Sequence, residues 1–181
     1  MNHRLCQLLL IGTLMLTACE STQVATESFA SEAGQFTIET PAPFEETQQS
    51  VETPVGPIEI RTFSAETEET AYVVAYSDYP SEIVDQTPPE ELLDSSRDGA
   101  ISSLGGTLVS EEEIEIEGNP GRSLVISTDA NQNQAATINS RIFLVDNRLY
   151  QVLVVAPDGV ENTAVADQFL NSFDLQESEQ R

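Results

Sequence analysis

The segment Thr137 to Ala156, TINSRIFLV-DNR-LYQVLVVA, decides the fold. Two runs rich in β-branched and aromatic residues flank Asp146-Asn147-Arg148. Asp and Asn tolerate positive φ, so these three residues predict a tight antiparallel hairpin. Ile142 to Val145 and Val152 to Val155 are apolar at successive positions. Strands that read this way are covered on both faces, even in an antiparallel sheet. The hairpin is therefore expected at the centre of a sheet that needs two covering layers.

Further strand patterns lie outward from it. Gln35–Glu39 and Ile58–Phe63 alternate, Ala71–Tyr76 is almost wholly apolar, and Ser123–Thr128 forms another run. Ile114–Glu117 alternates until Gly118-Asn119-Pro120-Gly121 breaks the pattern. Two helices supply the cover. Thr87 and Glu90 have capping-box spacing, with Pro88 at the first helical position. Leu92, Leu93, Ala100, Ile101 and Leu104 then share a side as far as Gly105, a favourable C-cap. The second helix spans about Thr163 to Phe173, with Asn162 as cap and Val165, Ala166, Phe169, Leu170 and Phe173 at helical spacing. The expected fold class is α+β: an α/β/α sandwich over residues 34–175, with a central antiparallel sheet of six to seven strands and two main helices. Residues 176–181 read as a polar tail.

The N-terminus reads as a processing signal. Arg4 precedes the apolar run Leu8 to Leu16, which is too short to span a bilayer as a helix. Leu16-Thr17-Ala18-Cys19 then resembles the lipobox of bacterial lipoproteins. That resemblance implies removal of 1–18, and diacylglyceryl transfer to the Cys19 thiol with acylation of the freed amine. Each buried lipid methylene contributes about 0.8 kcal/mol, so such an anchor holds without a membrane helix. Residues 19–33, rich in Ser, Thr, Glu and Ala, are expected to be the lipidated Cys and a flexible tether.

Three motifs in order resemble the PsbP-like members of the Mog1/PsbP fold: Gly118-Asn119-Pro120-Gly121-Arg122, Arg148-Leu149-Tyr150-Gln151-Val152 and Phe169-Leu170-Asn171-Ser172-Phe173. The resemblance implies a cyanobacterial-type lipoprotein facing the periplasm or thylakoid lumen, and a photosystem II accessory or assembly role. The metal-binding His residues of some relatives have no counterpart after Cys19.

Composition narrows the chemistry. The chain has 31 acidic residues against 7 basic ones, all Arg, for a net charge of −24. Its one His is His3, and its two Cys are Cys6 and Cys19. With the signal removed and Cys19 lipidated, no thiol, imidazole or Lys amine remains. Triads, Schiff-base chemistry and Cys/His zinc sites are then excluded, and no disulfide forms. Nucleic acid is not an expected partner, because phosphate needs a basic patch. The chain is expected not to be an enzyme and to fold as a monomeric domain.

The candidate sites are few. Tyr76, Asp78 and Tyr79 form an aromatic cluster at a strand end, either packing locally or meeting a protein partner. Arg122 follows the family-like turn, which it is expected to orient, and is the fourth candidate partner contact. Asp129, Asn131 and Asn133 have the opening of a calcium loop, but Gln134 and Ser140 stand where Gly and Glu are required. They read first as a polar loop and second as a weak Ca²⁺ site, with no other cofactor expected. Glu111 to Glu117 concentrates five carboxylates, with Glu115 and Glu117 expected on one solvated strand face. The functional expectation is a lipid-anchored, non-catalytic protein-binding module, with photosystem II subunits as the expected partners. The alternatives are a general envelope lipoprotein unrelated to photosynthesis and a weak calcium binder.

The excess of acids resembles salt-adapted proteomes. At about 1 M salt the Debye length is about 3 Å, which screens self-repulsion. The melting temperature of the domain without its signal is predicted to rise substantially from dilute buffer to molar NaCl. A flat thermal-shift curve would contradict this reading.

Overall fold

The computed structural model describes residues 25–53, 56–129, 135–158, 160 and 164–176. The chain opens with β1 (Glu27–Ser31) and β2 (Phe36–Thr40), then β3 (Glu45–Thr53), β4 (Gly56–Glu66) and β5 (Ala71–Asp78). A one-turn helix α1 (Ser81–Val84) precedes the long α2 (Pro89–Leu104). Four strands follow: β6 (Gly106–Ile116), β7 (Asn119–Thr128), β8 (Ala136–Val145) and β9 (Arg148–Pro157). Helix α3 (Ala164–Asn171) and the short β10 (Asp174–Leu175) complete the order.

The strands form two antiparallel sheets. Seven strands run in the order β3-β4-β5-β9-β8-β7-β6, and a small sheet runs β1-β2-β10. The predicted hairpin is β8–β9, with Leu144 opposite Leu149 and Asp146 at φ 53°. β9 lies fourth of seven, which accounts for its apolar residues on both faces.

Alternation along β5, β8 and β9 sorts the core into two layers. On one face Leu92 and Leu93 of α2 pack with Leu124, Ile126, Ile138 and Leu149. On the other, Tyr72, Val74, Tyr150, Val152 and Val154 meet α3 and the small sheet, whose Phe36 and Ile38 are almost completely buried. The expected second helical cover is thus shared with a sheet.

Several boundaries differ from expectation. β1 falls inside the stretch read as tether and pairs fully with β2, from Glu27 opposite Thr40 to Ser31 opposite Phe36. Its ESFAS sequence carries one large apolar residue, Phe29, which packs beside Phe36, Phe44 and Phe63. β3 is polar because it forms a sheet edge with exposed residues, a common device against edge pairing. α2 starts one residue late: Pro88 is the N-cap, and no side chain caps the helix. Gly105 does close it, at φ 60°. The 118–121 break narrows to a two-residue turn, Glu117 at φ 49° and Gly118 at φ 81°, so Glu117 leaves the strand.

The three family-like motifs each have a packing cause. A Cβ on Gly121 would lie 2.5 Å from the Ile142 carbonyl oxygen, so β7 approaches β8 only with Gly there. Ser172 Oγ accepts the Glu39 amide at 2.9 Å and donates to the Phe169 carbonyl, tying the end of α3 to β2. Phe173 stacks on Phe143 at 5.9 Å and meets Phe36 and Tyr150 edge-on or tilted.

Phe173→Ala is predicted to lower unfolding free energy by about 3–5 kcal/mol, the cost of deleting a buried ring. Val109→Asp, at a 63% exposed position beside the β6 bulge, is predicted to stay within about 0.5 kcal/mol. Urea denaturation of both variants checks the pair.

Candidate functional site

The turn between β1 and β2 sits over one end of the large sheet. Ser31 Oγ accepts the Gly34 amide at 3.0 Å, and Gln35 adopts φ 53°. A side chain on Gly34 would run into the Phe36 ring, 2.6 Å from its nearest atom. The turn carbonyls face inward. Arg148 Nη1 donates to Ala33 O at 2.9 Å, and the Tyr150 hydroxyl donates to Gly34 O at 2.8 Å.

Arg148 organises what lies beneath the turn. It opposes Asp78 across the β5–β9 pair and grips that carboxylate with two bonds, 2.6 Å from Nε and 2.8 Å from Nη2. Its guanidinium carbon lies 4.5 Å from the centre of the Tyr76 ring. Two-pronged carboxylate binding and ring stacking are both specific to Arg. Beside it Arg61 pairs with Glu46 at 3.0 Å. The result is an open groove of about 460 Å³, lined by Ala33, Glu59, Arg61, Tyr76, Asp78 and Arg148 among others. It offers the exposed carboxylates of Glu59 and Asp78 and strand-end backbone, while the Tyr76 ring lies buried under Arg148 at 6% exposure. Such a surface suits recognition, and no nucleophile–base pair is present in its lining.

The sequence candidates separate. Tyr76 and Asp78 meet in this groove. Tyr79 faces the opposite layer, packed with the α2 cluster. Its backbone is held to the β8–β9 turn: its amide donates to Asn147 O at 2.8 Å, and Asn147 Nδ2 donates to its carbonyl at 2.9 Å. Arg122 lies on that same far layer with its side chain 8% exposed. It pairs with Glu90 of α2 and, at 3.2 Å, with Glu111 of β6. Arg97 reaches the same Glu111 at 3.0 Å. Arg122 therefore clamps α2 to the sheet, and its Nη1 also donates to the Gly121 carbonyl of the motif at 3.2 Å. Its carboxylate partners lie 32 and 11 positions away, beyond any local signal. Asp129 follows the end of β7, while Asn131, Asn133 and Cys19 lie outside the described residues.

A larger open hollow, about 840 Å³, is rimmed by Glu66, Glu68, Glu69 and Asp158. Among the described residues no group of three or more carboxylate, thiol or imidazole side chains is placed to hold a metal ion. Nor is any described helix long and apolar enough to cross a membrane.

Arg148 was legible as part of the hairpin signal and of the family-like motif, and its contacts were not. Its grip on Asp78 spans 70 positions, and its bond to Ala33 spans 115. Burial raises the Tyr76, Tyr79 and Tyr150 phenols above their ordinary value, most simply for Tyr79, where burial is the one cause. Hydrogen bonding to Asp78 raises Arg148, so it stays charged throughout the working range.

No family model matches this sequence, and no curated protein matches it. Among solved structures, the solution structure of cyanobacterial PsbP (CyanoP) from Synechocystis sp. PCC 6803 is similar at a TM-score of 0.55 and 12% identity, covering 88% of this chain and 98% of that one. Protein PA94 from Pseudomonas aeruginosa is similar at a TM-score of 0.43 and 12% identity, over 74% and 83%. The first likeness shows the fold: the chain has a PsbP-like α+β fold built on a large antiparallel sheet.

An acid whose folded pKa is raised stabilises the fold below its unfolded value, here 10.0, and that stability is lost as pH rises through the folded pKa. The melting temperature is therefore predicted to fall above about pH 10, with phenolate absorbance developing late. Tyr150→Phe should flatten this alkaline decline in a series of thermal melts.

Proposed function

We propose that this chain is a membrane-anchored, non-catalytic lipoprotein carrying a PsbP-like protein-binding module on the periplasmic or lumenal side, acting as an accessory or assembly factor of photosystem II. The observation that carries the reading is the likeness to CyanoP along nearly the whole of both chains. The lipobox-like Leu16–Cys19 and the short apolar run before it support the anchor. The anchor leaves the domain's surface free for recognition, and the groove of Tyr76, Asp78 and Arg148 is where we place the partner contact. Exposed carboxylates on its rim, Glu59 and Asp78, favour a partner segment that brings positive charge.

Binding by such a surface needs no cofactor. Aromatic and Arg side chains dominate interface energetics, and Tyr76 and Arg148 are already held in position by Asp78 and the β1–β2 turn, which lowers the ordering cost on binding.

The test is crosslinking in the native membranes followed by affinity recovery, comparing the natural chain with Glu59→Arg. The natural chain is expected to recover photosystem II subunits, and the charge-reversed variant to recover at least about tenfold less, the loss of about 1.4 kcal/mol. Recovery of envelope proteins alone, from a source that contains photosystems, would overturn the photosynthetic reading. Equal recovery by both chains would overturn the groove.

A further inference from the structure

The direction of β1 relates the groove to the anchor. The described chain begins at Ala25, six positions after Cys19, and six residues reach at most about 20 Å. The domain is therefore held to the bilayer by the end of β1 that carries Thr26 and Glu27. That end is tied down: Thr26 Oγ1 donates to Glu39, and Gln168 of α3 donates to Thr26 at 3.2 Å. β1 then runs away from it, and its far end turns at Glu32 to Gln35. This is the turn whose Ala33 and Gly34 carbonyls rest on Arg148 and Tyr150. Five residues of strand separate Glu27 from Glu32, about 16 Å along the sheet.

Charge acts in the same direction. The chain carries a net −24, and each described Arg is already engaged: Arg61 by Glu46, Arg97 and Arg122 by Glu111, Arg141 by the Leu170 carbonyl, and Arg148 by Asp78. An anionic headgroup would have to displace one of these partners. The surface is repelled from anionic lipid, and the far end carries the groove into the aqueous phase.

We infer that the groove of Tyr76, Asp78 and Arg148 is presented away from the bilayer, so that its occupant is the water-exposed segment of a protein and not a lipid headgroup. This rests on the anchoring through Cys19 proposed above.

The experiment uses the full lipidated chain in phosphatidylcholine vesicles that contain an acceptor-labelled lipid. Single donor dyes are attached at Glu27→Cys, Glu32→Cys or Glu59→Cys, all three positions being exposed. Flotation with the vesicles is checked first. Energy transfer is expected to be roughly twofold or more stronger from position 27 than from 32 or 59, since 27 lies at the anchored end of β1 and 32 about 16 Å further along it. Adding phosphatidylglycerol should leave the transfer from 32 and 59 unchanged. Floating protein with equal transfer from all three sites would overturn the orientation while sparing the anchor. A rise at 32 and 59 with phosphatidylglycerol would overturn the choice of occupant. Protein that does not float would overturn the anchor, and this inference with it.

Discussion

Ring packing around Phe36 joins the small sheet to the large one. Phe36 lies within 5.5 Å of Phe63, 5.6 Å of Phe173, 6.0 Å of Phe29 and 6.4 Å of Tyr150, centre to centre. Those four rings come from β4, the end of α3, β1 and β9. Aromatic pairs at such distances contribute about 0.5–1.5 kcal/mol each beyond the area they bury. The layer also fixes position: with Phe36 seated, the β1–β2 turn falls where Arg148 and Tyr150 reach its carbonyls. The groove is a by-product of that seating, because its roof is the turn and its floor is the large sheet.

The charge pattern has a matching logic. Acids are spread over nearly every exposed element, while Arg97, Arg122, Arg141 and Arg148 each join separate elements. Arg122 and Arg97 share Glu111 between α2 and the β6–β7 pair. Arg141 crosses from β8 to the Leu170 carbonyl at the end of α3, and burial lowers its pKa from the ordinary value. Arg148 crosses from β9 to β5 and to the first turn. In an acidic chain without Lys, guanidinium groups thus serve as internal connectors. The surface is left overwhelmingly negative.

The centre of the sheet was legible in the sequence because burial on both faces leaves an unbroken apolar run, as in Val152 to Val155. The β8–β9 turn was legible because Asp146 tolerates positive φ. The long helix was legible from its Leu pair and Gly105, though the suggested Thr87 cap forms no hydrogen bond. The periphery was not legible. β3 has no apolar periodicity because it is a polar edge, and β1 offers one Phe whose partners come from β2, β4 and the segment before β3. Site residues behaved likewise. Tyr76 and Asp78 stood out by local clustering, whereas the partners that give them a role, Arg148 and the Ala33 carbonyl, are contacts of topology. Tyr79 looked like a neighbour of Tyr76, yet it lies one residue past the end of β5 and packs in the opposite layer.

The account depends on residues 27–40 being packed structure that brings Ala33 to the groove, and not a tether. Hydrogen–deuterium exchange of the full chain, followed by peptide mass spectrometry, measures this directly. The account predicts that peptides covering 27–40 are protected to nearly the same degree as those covering 148–157, since both belong to one packed layer. Complete exchange of 27–40 within seconds, while 148–157 stays protected, would contradict it.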